Sequence, residues 1–282
     1  MADSGYGNLS ASQIYRRPGK TVLDYLWVWG NPEYSLEPSC DDGRFGHAAP
    51  LSRVNMLGVR NVAQAGHGVP IDPIYADALT KPVAHLDRIV WEVMRDPGGK
   101  FVYTHRLETI AGLLESYNNI EGILIDDLST VGRTEGITPA DLKAFYDSIP
   151  STPDGWRMRF YGVVYTMSLG DEDIGQYIDC MDVVSLWTWA AEDIDQWDKH
   201  VDQVHAMAPD KPISIGLYLV NYGGSAALDA KRMQAQCDMA LKMLKDKRIF
   251  GVTFLLHGAE NAEVVKWTRD WIKEVGSEPL TI

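Results

Sequence analysis

Cysteine, long hydrophobic segments and positive charge are all scarce in this 282-residue sequence. The three cysteines, Cys40, Cys180 and Cys237, lie too far apart for a metal-binding motif or a disulfide framework, so we expect free thiols with at most one bridge. No apolar run reaches the roughly 18 residues that a membrane-spanning helix needs. Residues 1–20 are polar and lack the apolar core of a signal peptide.

Acidic residues outnumber basic residues by 39 to 26, which gives a net charge of −13 at neutral pH. Nucleic acids and anionic membranes bind clustered Lys and Arg, so we expect neither as a partner. The composition is ordinary for a globular protein, and the length suits one large domain or two small ones.

Short apolar segments alternate with segments of helical periodicity along the whole chain. The predicted strands are 22–29, 60–64, 87–93, 122–126, 158–165, 182–189, 213–220 and 250–256. The predicted helices are 49–57, 73–85, 107–118, 139–148, 172–179, 193–207, 227–246 and 261–275.

This alternation predicts an α/β protein with a single (β/α)8 barrel. The competing doubly wound sheet usually shows a glycine-rich phosphate loop after an early strand, and the sequence has none. We expect the barrel to span residues 21–276, with an N-terminal extension at 1–20 and a C-terminal tail at 277–282.

In such a barrel the residues that follow the strands share one end, which we call the mouth. Aromatic rings, carboxylates and amides are combined there, and this combination suits a carbohydrate substrate. About half of the strand tryptophans should instead face the helices, and a histidine there is as often structural as functional. The predicted substrate-binding residues are Trp29, Asn31, Glu33, Gln64, His67, Trp91, Tyr165, Trp187, Trp189, Tyr218, Asn221, His257 and Glu260.

Two adjacent carboxylates, Asp126 and Asp127, end the apolar strand at 122–126. Acids at the tips of barrel strands commonly serve catalysis, although one of the two could cap a loop amide. Side chains alternate along a strand, so we expect only one of them to face the barrel axis. We favour Asp126 for this place and expect the side chain of Asp127 to point towards the loops.

Three strand tips resemble those of TIM-barrel glycoside hydrolases: residues 122–127 (Gly-Ile-Leu-Ile-Asp-Asp), 186–189 (Leu-Trp-Thr-Trp) and 28–31 (Val-Trp-Gly-Asn). Chitinase-like and α-galactosidase-like barrels have an essential aspartate at the end of the fourth strand, which the resemblance carries to Asp126 or Asp127 alone. The chitinase run Asp-x-x-Asp-x-Asp-x-Glu is absent, because Leu124 and Leu128 occupy the flanking alternate positions. An Asn-Glu pair on the fourth strand is also absent. The chain also looks like uncharacterised bacterial barrel proteins, a likeness that implies no activity.

Glycoside hydrolysis needs one protonated and one ionised carboxyl group beside the scissile bond. Asp126 or Asp127 could supply the ionised group, as nucleophile or as base. Glu92 is the best candidate for the acid, because neighbouring Trp91 could desolvate it and raise its pKa. The expected substrate is an oligo- or polysaccharide and the expected mechanism needs no cofactor.

Two other functions remain open at this stage. A divalent-metal isomerase, epimerase or lyase could use Glu92, Asp126 and His257, as xylose-isomerase-like barrels do. A non-catalytic sugar-binding barrel would keep the aromatic residues and tolerate loss of both aspartates. A polysaccharide substrate favours a periplasmic or secreted location, and a cytoplasmic one stays open.

Overall fold

The strands of the protein close into a barrel. The structure, a computed structural model, describes residues 11–30, 50–66, 68–93, 101, 103–189, 191–221, 226–256, 262–280 and 282. All neighbouring strands are parallel and follow chain order, and the eighth pairs with the first. They are β1 (Leu26–Gly30), β2 (Asn61–Gln64), β3 (Arg88–Glu92), β4 (Ile120–Ile125), β5 (Arg159–Tyr165), β6 (Val183–Trp187), β7 (Ile213–Tyr218) and β8 (Gly251–Leu255). The predicted single (β/α)8 barrel is confirmed.

A helix follows every strand of the barrel, so each predicted helix exists, although several ends differ by a few residues. In the described part of the chain, no helix is long and apolar enough to cross a membrane. The helices that follow the strands are α1 (Pro50–Leu57), α2 (Pro73–Thr80), α3 (Thr104–Leu114), α4 (Pro139–Asp147), α5 (Ile174–Asp179), α6 (Trp197–Met207), α7 (Ala230–Lys245) and α8 (Glu263–Val275), and one further short helix, Ala11–Ile14, precedes the first strand.

Local side-chain chemistry sets several element ends. The first strand begins later than predicted, because Val22–Tyr25 forms a 3-10 turn. Asp24 closes this turn by accepting hydrogen bonds from the backbone N–H groups of Lys20 (2.7 Å) and Thr21 (2.8 Å). At the start of α4, the Thr138 hydroxyl caps the helix by accepting a hydrogen bond from the backbone N–H of Asp141 at 3.2 Å.

The N-terminal end of the barrel, which we call the base, is closed by Tyr15. Its ring stacks on Trp27 with centroids 6.3 Å apart, and its hydroxyl donates a hydrogen bond to the Phe250 carbonyl at 2.5 Å. The Arg88 guanidinium lies over the same ring at 4.5 Å and pairs with Glu121 at 3.3 Å. Part of the predicted N-terminal extension therefore packs into the barrel.

Candidate active site

Three aromatic rings meet inside the barrel below its mouth. Trp29 of β1 and Trp187 of β6 contact each other edge to face at 5.1 Å, and Tyr218 of β7 lies 5.1 Å from Trp187. Trp187 occupies the space over Gly216, where a Cβ atom would come within 2.0 Å of the indole ring. The indole N–H of Trp187 donates to the Ser185 hydroxyl at 2.9 Å, so the ring is held in one orientation. We call Trp29, Trp187 and Tyr218 the aromatic floor.

A second pair of rings lies closer to the solvent. Tyr165, the last residue of β5, contacts Trp189 edge to face at 5.4 Å. Trp189 is 45% exposed, whereas the aromatic floor is buried. A large exposed ring at the mouth costs hydrophobic free energy unless something packs on it, so Trp189 is a candidate platform for a ligand.

Glu92, the last residue of β3, is almost completely buried, with 1% of its surface exposed. Its Oε2 atom accepts hydrogen bonds from the backbone N–H groups of Gly66 and Gly68. These glycines have φ angles of +122° and +74°, in the region that favours glycine. Burial raises the Glu92 pKa to about 7, although both N–H donors and the Arg106 charge oppose the rise.

Asp126 follows β4 directly and is only partly buried. In the strand register Leu124 lies beside Glu92 on β3, and alternation brings Asp126 onto the same inward face. Its Oδ1 accepts a hydrogen bond from the Asp127 N–H at 2.8 Å. Burial raises the pKa of Asp126 well above its ordinary value, and the charges of Glu92 and Asp127 raise it further. The charges of Glu92 and Asp127 therefore act on Asp126, and together with burial they favour its protonated form.

Asp127 has a left-handed backbone with φ +50°, because the strand has already ended at Ile125. Its Oδ1 accepts a hydrogen bond from the Tyr165 hydroxyl at 2.7 Å. Burial and the neighbouring aspartates raise the pKa of Tyr165, so the phenol keeps its proton and acts as the donor. Contrary to the prediction from strand alternation, Asp127 is thus anchored at the mouth beside Asp126.

Two predicted substrate-binding residues lie away from the mouth. Gln64 and Trp91 are neighbours across β2 and β3 and alternate with the inward-facing Glu92. Both are buried, and the Gln64 amide donates to the Leu79 carbonyl of α2 at 3.3 Å. They pack between strands and helices, contrary to the prediction, and Trp91 is on the opposite side of β3 from Glu92.

The remaining predicted site residues are not placed by the structure. Asn221 lies in the short strand Val220–Asn221, and nothing is described of its side chain. Within the described residues, no group of three or more His, Cys, Asp or Glu could hold a metal ion. The predicted residues outside the described ranges are Asn31, Glu33, His67, His257 and Glu260.

The turn that holds Glu92 was not predicted. The only sequence signal for it is the pair of glycines, Gly66 and Gly68, directly after β2. Arg106 on α3 was missed as well, because its effect on the Glu92 pKa depends on how a distant helix packs.

No protein-family model and no curated protein sequence matches this chain. Solved structures do match it, among them a GH99 endo-alpha-mannosidase from Bacteroides thetaiotaomicron, at 13% identity and TM-score 0.55, over 89% of this chain and 97% of that one. A GH18 chitinase from Pseudoalteromonas aurantia matches at 13% identity and TM-score 0.52, over 88% and 99%. The spore cortex-lytic enzyme SleL of Bacillus cereus matches at 10% identity and TM-score 0.53, over 89% and 75%. These similarities show that the chain has the barrel fold found in TIM-barrel glycoside hydrolases.

Proposed function

We propose that this protein hydrolyses glycosidic bonds, with Asp126 as the proton donor and Asp127 as the ionised carboxylate. The observation that carries the proposal is the interacting set Glu92, Asp126 and Asp127 at a mouth that also presents aromatic rings. The glycoside hydrolase names of the similar structures support the same function.

The two roles follow from burial and charge. A glycosidase acid must hold its proton near neutral pH, and the pKa of Asp126 is raised in that direction. We expected Glu92 to be the acid, but it is too buried to touch a sugar in this structure. Burial raises the Glu92 pKa to about 7, and above that pH the negative charge of Glu92 helps to keep the proton on Asp126. Glu92 is thus a positioning residue.

Asp127 is suited to the second role because one of its oxygens is fixed and the other is available. The Tyr165 hydroxyl holds Oδ1, which leaves Oδ2 to attack the anomeric carbon or to activate a water. The left-handed backbone of Asp127 directs this carboxylate back towards Tyr165. Sugar rings would pack their C–H faces on Trp189, above the aromatic floor.

The proposal is tested by measuring new reducing ends after incubating the protein with a panel of neutral, amino and acidic oligosaccharides. Asp126→Asn and Asp127→Asn should each lower the rate about 10²–10⁴-fold, the usual effect of removing a positioned acid or base. The matched control is Asp179→Asn, an exposed carboxylate at the end of α5 near the base, which should keep full activity. Equal rates in the wild type and both site variants would overturn the proposal.

A further inference from the structure

Charged residues in the segments that join strands to helices are sorted between the two ends of the barrel. In the described part of the segments that follow the strands at the mouth, eleven residues are Asp or Glu and one is Lys or Arg. In the described segments that precede the strands at the base, seven are acidic and nine are basic. Within the described joining segments, the negative charge is therefore concentrated at the mouth.

The basic residue of the described mouth segments is paired with nearby acids. Arg133 pairs with Asp171 and with Asp173, the latter at 2.5 Å. Asp126 and Asp127 are among the eleven, and Glu92, at the end of β3, is a further carboxyl group at the centre of the same end. An anionic sugar, such as a uronic acid or a sulfated or phosphorylated sugar, would be repelled at this mouth.

More acids follow the exposed ring of Trp189. The turn Ala191–Gln196 comes next in the chain, and it includes Asp193 and Asp195, neither of which is fully buried. An exposed indole face at a negatively charged mouth suits a cation, because the ring quadrupole and the negative charges both attract it. A neutral sugar would pack on the ring and could donate hydrogen bonds to the acids, but it would gain no attraction between opposite charges.

We infer that the substrate is a cationic oligosaccharide, built from amino sugars with free, protonated amino groups. This inference rests on the proposed function for its site, the barrel mouth, and on the distribution of charge for its chemistry. Bound ammonium groups would relieve the repulsion among the mouth carboxylates, and the field of the mouth would steer such a chain towards Asp126.

The test measures binding rather than turnover, by calorimetry with the Asp126→Asn variant. The probes are a glucosamine hexamer, the fully N-acetylated hexamer and a galacturonic acid hexamer. The glucosamine hexamer should bind at least about tenfold tighter than the other two, and raising the salt from about 50 to about 500 mM should weaken it about tenfold. Equal affinity for the acetylated and glucosamine hexamers, or no effect of salt, would overturn the inference.

Two double variants, each of which removes two negative charges, test whether the preference for the glucosamine hexamer arises at the mouth. Asp193→Asn with Asp195→Asn should weaken glucosamine hexamer binding several-fold and leave the acetylated hexamer unchanged. Glu115→Gln with Asp210→Asn, at exposed positions near the base, should change neither affinity. Equal weakening by both double variants would contradict a site at the mouth.

The outcomes separate the two proposals. If the wild-type protein binds the glucosamine hexamer in this way but never cleaves it, the charge inference stands and the proposed hydrolysis fails. If it cleaves neutral hexamers and shows no preference for the amino sugar, hydrolysis stands and the charge inference fails.

Discussion

Asp126 and Asp127 are adjacent in sequence, yet their surroundings give them different chemistry. Burial and the charges of Glu92 and Asp127 raise the pKa of Asp126, whereas Asp127 accepts a hydrogen bond from the Tyr165 hydroxyl. Replacing Asp126 and replacing Asp127 should therefore lower activity in ways that depend differently on the leaving group of the substrate. A substrate with a good leaving group, such as an aryl glycoside, needs no proton from an acid but still needs the ionised partner.

We predict that Asp126→Asn loses about 10²–10⁴-fold in kcat/KM on an unactivated oligosaccharide and far less on an aryl glycoside. Asp127→Asn should lose about equally on both substrates. Steady-state kinetics on the two substrates measure this difference. If the aryl glycoside restores the activity of Asp127→Asn but not that of Asp126→Asn, the assignment of the two roles is contradicted.

In the proposed reaction, Glu92 acts through the pKa of Asp126. Its charge raises that pKa, so replacing it with a neutral residue of the same shape should lower the pKa. We predict that Glu92→Gln moves the basic limb of the kcat/KM profile towards lower pH. A full pH–rate profile measures the shift, with Asp179→Asn as the variant that should not move it. An unmoved basic limb in Glu92→Gln would show that Glu92 has no influence on the acid.

At the scale of elements, the order of strands and helices was predictable from the sequence. Apolar runs with turn residues between them define the strands, and the cap at Thr138 marks the start of α4. The facing of individual strand residues was harder to predict. The strands of a parallel barrel are buried on both faces, so their sequences do not alternate between polar and apolar residues. Without that alternation, the sequence does not show whether Gln64 and Trp91, both buried, face the barrel axis or the helices.

The candidate site was predictable only in part, for a related reason. The tips of β4, β5, β6 and β7 supplied Asp126, Tyr165, Trp187 and Tyr218 from the strand pattern alone. The contact between Asp127 and Tyr165 depends on a left-handed residue after the strand end, which strand periodicity does not encode. The turn that buries Glu92 depends on the approach of β2 to β3.

The aromatic floor requires a glycine on β7. A methyl group at position 216 would overlap the Trp187 ring, so the ring would have to move. We predict that Gly216→Ala lowers the free energy of unfolding by about 1–3 kcal/mol and also weakens substrate binding. Urea unfolding and calorimetry measure the two effects. Gly112→Ala, in α3 with open space around it, should stabilise the protein by about 0.5–1 kcal/mol. A Gly216→Ala variant as stable as wild type would contradict the packing account.

At the scale of the whole molecule, the two ends of the barrel bury carboxyl groups for different purposes. Glu121 at the base pairs with Arg88, but burial outweighs that attraction and raises its pKa from 4.5 to about 7. A carboxyl group with a raised pKa favours folding while it is protonated in the folded state. The contribution of Glu121 to the free energy of unfolding is therefore complete below pH 4.5 and is lost as the pH rises through about 7.

Replacing Glu121 with glutamine removes this pH dependence. We predict that the stability of Glu121→Gln relative to wild type increases by on the order of 3 kcal/mol between about pH 4 and about pH 8. Urea unfolding of both proteins across this range gives the difference. A stability difference that stays constant with pH would contradict the raised pKa of Glu121.

The central claim is that the mouth cleaves glycosidic bonds through Asp126. The most direct measurement is time-resolved proton NMR of oligosaccharides incubated with the wild type and with Asp126→Asn, which detects the anomeric signals of new reducing ends. We predict new signals with the wild type, earliest for the glucosamine hexamer, and a rate at least about 10²-fold lower with Asp126→Asn. No new reducing ends from any neutral, amino or acidic oligosaccharide, or equal rates for the two proteins, would contradict the claim.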